Sequence, residues 1–218
     1  MALAEATGNY VWFFDGDDDM CDTITDPLLQ RCKEDIIEFT FAYDNKKEGS
    51  LTYVERFRKE RIERRKRVFK TQKYLNDNCC TCWNKWYKLD LLKSFFSYMN
   101  ATGKVSAGED IWINLAALNR AKKIREVPYY VYFNRPEHGI SCNHIETMDA
   151  FEKIIQGFDI SRDNYKKEFP KSCALFNWEE KEIDDVSYYI NRIYNSEPAI
   201  RKDALELVLK YIPKETFL

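Results

Sequence analysis

The apolar residues of this chain follow two rhythms, and the change between them falls near residue 145. Before it, short continuous apolar runs alternate with helix-like stretches. Tyr10 to Phe14 is one such run, and unbroken hydrophobicity over so few residues predicts a strand buried on both faces, as in a parallel or mixed sheet. Residues 2–7 ahead of it read as the end of a helix that Gly8-Asn9 terminates. Asp22 to Lys33 predicts a helix, and "DIIEFTFAYD" (Asp35 to Asp44), rich in β-branched and aromatic residues, predicts a second strand. Tyr53 to Leu75 is highly charged, with a weak helical repeat through Phe57, Val68, Phe69 and Leu75, and is expected to be helical. "TCWNKWYKLDLLKS" (Thr81 to Ser94) is an aromatic segment running into a short helix. "GEDIWINLAALNRA" (Gly108 to Ala121) is a helix that opens with two acids at the favourable end of its dipole. Lys122 to Val127 and Tyr129 to Asn134 are two further strand-like pieces, followed by the polar loop "RPEHGISCNH" (Arg135 to His144). Helix alternating with strand is the signature of an α/β fold.

Beyond residue 145 the period is helical throughout. Met148, Phe151, Ile155 and Phe158 share one face, as do Ile183, Val186, Ile190 and Ile193, and then Leu205, Val208 and Ile212. Ser196-Glu-Pro198 is a start signal for the last helix. The expected organisation is an α/β part over residues 1–144 and a helical C-terminal extension over 145–218.

Composition narrows the class without naming a partner. The 218 residues are 44% hydrophobic and 15% aromatic, enough for a substantial core, and 34 basic against 36 acidic side chains leave a formal charge of -2. No apolar run has the length of a bilayer span, and the first residues lack the basic start and apolar centre of a secretory signal. Seven cysteines, an odd number without framework spacing, predict reduced thiols and a cytoplasmic protein, at most peripheral at the inner face of the membrane. Cys79, Cys80 and Cys82 form C-C-x-C, but no second pair completes a zinc site. From Arg56 to Lys73, ten Lys/Arg stand against two Glu, a local excess of eight. A solvated face is the more common meaning of such a run; an anionic acceptor or an acidic membrane surface is the functional alternative, and no nucleic acid is expected.

The sharpest chemical signal is "YVWFFDGDDDM", where five apolar residues run into Asp15, Asp17, Asp18 and Asp19. Carboxylates this close raise one another's pKa unless a cation sits among them. They are hard oxygen ligands suited to Mg²⁺ or Mn²⁺, and the carboxyl end of a strand is where open α/β sheets bind ligands. A plain acidic turn capping the next helix is the competing explanation. Glu109 and Asp110 have the same two readings, helix capping or catalysis.

"AEATGNYVWFFDGDDDM" resembles a segment of the family 2 glycosyltransferases, of GT-A fold, in which a helix ends at A-x-G, a strand follows, and the metal motif D-x-D-D comes next. The order continues: "DIIEFTFAYD" looks like the following sheet strand, "CWNKWYKLDLLK" is similar to W-N-K-L-Y-x-x-x-L-L, and "GEDIWINLAAL" matches the G-E-D that opens the catalytic helix. "VPYYVYFNRPEHGIS" is similar to P-x-Y-x-Y-x-x-R followed by S-[IV]-S. The resemblance implies a partial GT-A (Rossmann-like) mixed sheet. It also implies a metal-dependent enzyme moving a sugar from a nucleotide-diphosphate donor to a glycan acceptor hydroxyl, with inversion, in cell-surface polysaccharide synthesis. On this mapping Asp15 and Asp17 hold the ribose and metal region and Asp18 is the direct Mn²⁺ or Mg²⁺ ligand. Asp110 is the general base, Glu109 orients it or the acceptor, and His138, in the loop with Ser141, assists the metal or a phosphate. Lys85 matches the N-K of the family, a position that is equally readable as structural.

The sequence also departs from the family. Gly16 stands where Ser is common, and Asp19 is an extra carboxylate. The two βα units that hold the nucleotide base in the family have no counterpart before Met1, so the chain is expected to be N-terminally truncated and to bind nucleotide sugar weakly or not at all. An inactive remnant or interaction module lacking the donor half is therefore the alternative reading. A haloacid-dehalogenase-like phosphatase built on "FFDGDDDM" ranks third, because that family wants Thr or Val where Asp19 stands.

Overall fold

The computed structural model describes residues 2–16, 18–25, 27–45, 50–54, 61–64, 81–95, 108–134, 144–170 and 178–211. Among them the strands are β1 (Tyr10–Trp12), β2 (Asp19–Met20), β3 (Ile36–Asn45), β4 (Ser50–Val54), β5 (Arg61–Arg64), β6 (Lys85–Lys88) and β7 (Lys123–Asn134). The helices are α1 (Ala2–Glu5), α2 (Pro27–Gln30), α3 (Leu89–Lys93), α4 (Glu109–Arg120), α5 (Met148–Glu168), α6 (Trp178–Asn195) and α7 (Pro198–Tyr211). One mixed sheet has the order β1-β6-β3-β7-β2, with β4 added to β3 and β5 to β7.

Strand direction places the candidate chemistry. β3 and β7 pair in parallel, while β6 pairs antiparallel with both β1 and β3, so β1, β3 and β7 all point the same way. The acidic turn leaves the carboxyl end of β1. α4 ends at Arg120 and β7 starts at Lys123, so the helix runs back along the sheet and its first turn, Glu109-Asp110, returns to that same rim. Two segments remote in sequence thus meet because a short αβ turn reverses the chain.

Several sequence expectations are corrected. The Tyr10 strand is not fully buried. Its alternate residues do pack on opposite faces, Val11 and Phe13 into one core and Tyr10 and Trp12 into the other, but it is the end strand of the sheet among the described residues and all of β1 is only half-buried. The expected helix Tyr53 to Leu75 gives way to strand where it is described: Tyr53 and Val54 lie in β4 and Arg61–Arg64 form β5, paired with Lys123 to Glu126. A weak helical repeat in so charged a segment loses to the hydrogen bonds that the edges of β3 and β7 offer. The rest of the basic run lies outside the described residues. Among its described residues, Asp22 to Lys33 contains a 3₁₀ turn at Asp22–Thr25 and the four-residue α2 in place of one helix. The two pieces flanking Pro128 are one strand, and the register against β3 slips at Phe39 and Thr40, where Pro128 has no N–H to give.

The core lies on both faces of the sheet. One side packs Ile36, Tyr87, Leu92, Phe95 and the buried face of α4, including Trp112, Leu115 and Leu118. The other gathers Leu29, Ile37, Phe39, Trp83, Trp86, Val131 and Tyr132. α5 belongs to two cores: Tyr165 packs with the α4 side, while Phe151, Ile154 and Ile155 join Val186, Tyr189, Ile193, Ala204 and Val208 from α6 and α7. Of the helical-face expectations, Phe151, Ile155, Val186, Ile193 and Val208 are buried, whereas Ile183, Ile190 and Leu205 are exposed; Ile212 lies outside the described residues. The buried stripe of α6 runs through Tyr189 instead, a quarter-turn from Ile190.

Candidate active site at the carboxyl rim of the sheet

Phe14 and Asp15 follow β1 without secondary structure, and a turn closes from the Asp18 N–H to the Asp15 carbonyl at 3.2 Å. The chain then joins β7 through β2, with the Cys21 N–H donating to the Val131 carbonyl at 3.0 Å. Within this turn the carboxylates diverge. Asp15 and Asp19 are exposed, whereas Asp18 is buried and accepts a hydrogen bond from the Tyr132 hydroxyl. Burial, the Asp18 acceptor and the charge of Asp15 all push the Tyr132 hydroxyl far above its usual range, so it stays a donor. Tyr132 is itself clamped in the aromatic layer, stacked on Trp83 at 4.6 Å and meeting Phe14 and Trp12 edge-on at 5.4 and 6.0 Å. Asp17 lies outside the described residues, as do His138 and Ser141.

The opposite wall is the head of α4. Gly108 precedes it with φ 76°, in the left-handed region. A Cβ there would stand 2.8 Å from Phe158 Cδ1 and 3.1 Å from Phe158 Cα, so α5 packs directly on the turn that starts α4. Glu109 is exposed; Asp110 is half-buried. Burial first, then the charges of Glu109 and Asp15, raise the Asp110 carboxyl to about 7, against the opposing hydrogen bond from Cys82. Asp15 and Asp110 therefore feel each other across the rim although they are remote in sequence.

A polar network lies beneath. Asn114, fully buried one turn after Asp110, donates to the Asp110 and Thr81 carbonyls, both at 2.9 Å, and accepts from the Tyr87 hydroxyl at 2.6 Å. Lys85 is buried too. Its Nζ donates to the Thr81 carbonyl at 2.7 Å and to Asn84 Oδ1 at 2.8 Å, and lies 3.7 Å from Glu38 Oε1. Of the two readings open for Lys85, these contacts make it a structural cation that ties the 81–85 turn to β3. Removing one partner of so buried a pair costs about 3–5 kcal/mol.

The sequence reasoning pointed to Asp15, Asp18, Glu109 and Asp110, and the structure sets all four around one rim. It gave no site role to Tyr132, Asn114, Cys82 or Phe158. Tyr132 carried a signal as the second tyrosine of P-x-Y-x-Y, and Asn114 as a polar residue inside an apolar helix face, four after an acid. Phe158 carried none, since only packing brings it to Gly108.

A cavity of about 690 Å³ lies on the flank of β1, lined among others by Tyr10, Trp12, Arg31, Trp86 and Lys88; the rim carboxylates are not part of it. Among the described residues no three His, Cys, Asp or Glu side chains converge as a complete metal cage. The donor chemistry still suits a cation shared with phosphate, because Mg²⁺-type sites take one or two protein carboxylates and complete their shell with phosphate and water oxygens. Asp15 and Asp18, on one turn, meet that requirement. No helix among the described residues is long and apolar enough to cross a membrane.

The fold defined by these elements is a mixed α/β sheet with helices packed on it. No family model matches the chain, and no curated protein does. Among solved structures it is similar to residues 1–349 of S. aureus TarS, with 16% identity and a TM-score of 0.50 over 99% of this chain. A longer TarS structure aligns with 13% identity, 99% coverage and a TM-score of 0.45. The chain spans 59% of the first structure and 40% of the second. At such identity the likeness establishes the fold: a partial GT-A-like mixed sheet with helices packed on it and further helices after it.

Proposed function

We propose that this chain is the catalytic-rim part of a metal-dependent family 2 glycosyltransferase that moves a sugar from a nucleotide-diphosphate donor to a glycan acceptor hydroxyl with inversion. The observation that carries the reading is Asp110, a carboxyl at the head of α4 raised to about 7 by burial and by Glu109 and Asp15. A general base works best with a pKa near the working pH, where it is both ionised and able to hold a proton. An ordinary helix-capping carboxylate is exposed and stays in the usual carboxylate range.

In this reading Asp110 accepts the proton of the attacking hydroxyl, and Glu109, exposed beside it, orients the acceptor. Asp15 and Asp18 hold the cation side of the rim, with Asp17 and His138 as further contacts from outside the described residues. Mn²⁺ or Mg²⁺ bound there would neutralise charge on the diphosphate leaving group. Tyr132 keeps Asp18 fixed, and the aromatic layer of Trp12, Phe14, Trp83 and Tyr132 excludes water from the back of the turn.

The test is a panel of nucleotide sugars with Mn²⁺, read as co-binding by calorimetry and as sugar transfer or donor hydrolysis. The expected result is weak, mutually dependent binding of Mn²⁺ and nucleoside diphosphate, reduced by Asp15→Asn and left intact by Asp110→Asn, which abolishes turnover. Absence of any metal-dependent diphosphate binding at millimolar concentration overturns the proposal and favours an interaction module that uses the open flank of β1.

A further inference from the structure

The C-terminal helices are apolar on more sides than their own core uses. α6 buries Val186, Tyr189 and Ile193 in the cluster shared with α5 and α7, yet a second stripe on it, Ile183, Ile190 and Tyr194, is 39 to 75% exposed. At about 100° per residue these three positions fall within about 40° of one line along the helix, roughly a quarter-turn from the buried stripe. α7 repeats the arrangement: Ala204 and Val208 are fully buried, while Leu205 and Leu209, one position on in each case, are exposed. The two stripes adjoin. Asn195 ends α6 and Pro198 starts α7, so the short link makes the helices antiparallel neighbours. The Arg201 guanidinium, one turn before Leu205, lies 5.8 Å from the centre of the Tyr194 ring, and its Nε donates to the Ser196 carbonyl in the link at 2.9 Å. Five of the eight exposed large apolar side chains among the described residues thus share one face of this hairpin, the kind of patch that marks an interaction surface.

We propose that this face is the contact between two copies of the chain, packed hairpin on hairpin about a two-fold axis that sets the link of one copy against the α6 start of the other. The charges at its margins favour that occupant. Asp184, exposed, borders the stripe near the start of α6, and Lys202, exposed and 3.8 Å from Glu206, borders it near the link, so opposite signs stand at opposite ends. Reversing one hairpin on the other brings Asp184 of each copy to the end that carries the partner's Lys202, and a two-fold makes this contact twice. An acidic membrane surface would instead need an excess of Lys and Arg on the face. Two helices wide and eighteen residues long, the face measures roughly 20 by 27 Å. That is less than the ~800 Å² each partner gives to a standard interface, so the pair is a weak dimer.

Sedimentation equilibrium of the whole 218-residue chain, from about 1 to about 200 µM, reads the contact directly. The unaltered chain is expected to pass from monomer to dimer within this range. Ile190→Asp puts a charge in the middle of the face and should weaken the dimer at least about tenfold, with the helical circular dichroism unchanged because Ile190 is exposed. If that variant loses its helix signal, Tyr194→Ser, at the most exposed position of the stripe, decides in its place. Asp184→Lys and Lys202→Asp each set like charges together and should weaken the dimer about threefold at low salt, while the double variant restores it. A chain that stays monomeric throughout, or a dimer that the apolar variants leave intact, overturns the proposal. Charge effects that add instead of cancelling overturn the reversed packing. Sedimentation of a monomer with phosphatidylcholine and phosphatidylglycerol vesicles, abolished by Ile190→Asp, assigns the face to lipid and overturns it too. Sugar transfer plays no part in these readouts, so the dimer and the reading of Asp110 as a base stand or fall separately.

Discussion

The two acidic segments at the rim have the same kind of sequence and different physical states. Among its described residues, the Asp15–Asp19 turn exposes its first and last carboxylates and buries Asp18, which a tyrosine hydroxyl satisfies. Glu109-Asp110 exposes its first and half-buries its second, whose carboxyl rises to about 7. A carboxylate open to solvent or held by a hydroxyl donor offers oxygen ligands to a cation, while one pressed between apolar packing and like charges suits proton transfer. The difference lies in what packs behind each segment.

The largest effect is expected from Asp110→Asn. Sugar transfer should fall by about 10²–10⁴-fold, the usual contribution of a positioned base. The same substitution probes stability with an opposite sign. The native carboxyl, raised to about 7, keeps its proton over a range in which the unfolded one, near 3.8, has lost it. The unaltered protein therefore loses stability as pH rises from about 4 to about 7 and changes no further above that through this group. Thermal melts across this range should show the slope, and Asp110→Asn should flatten it; equal slopes would remove the distinction between the two acidic segments.

Next in size is Gly108→Ala, which disturbs only the helix side. The positive φ and the approach of the Phe158 backbone together predict a loss of about 2–3 kcal/mol in urea unfolding. A neutral result would mean that α5 does not brace the start of α4. Tyr132→Phe disturbs only the turn side. Deleting one donor to a buried carboxylate should cost about 1–2 kcal/mol and should leave the Asp110 titration where it was. The smallest effect is the cross-talk: Asp15→Asn removes one like charge facing Asp110 and should lower its titration midpoint slightly, with the shift fading in high salt. No shift at low salt would mean that the two segments do not share a site.

Much of the fold was legible along the chain because local rules carried it. The strand over 35–44, the helix over 108–121 and the three C-terminal helices follow from β-branched runs and helical periodicity, and the structure has them at β3, α4, α5, α6 and α7. The failures have a common cause. β1 is half-buried because it ends the sheet, and residues 50–54 and 61–64 are strand because the edges of β3 and β7 accept them. Edge position and strand pairing are properties of the assembled sheet, and no local pattern records them.

For the site the division is similar. The sequence by itself determined which carboxylates are present, that one group follows a strand and that the other opens a helix. Only the tertiary structure decided that a short turn from α4 to β7 brings them to one rim, that Tyr132 covers Asp18, and that Cys82, Asn114 and Phe158 stand behind the head of α4. Residue type fixes what a carboxyl is able to do, but its protonation depends on the dielectric and the charges within a few ångströms, and those neighbours come from segments that only folding brings near.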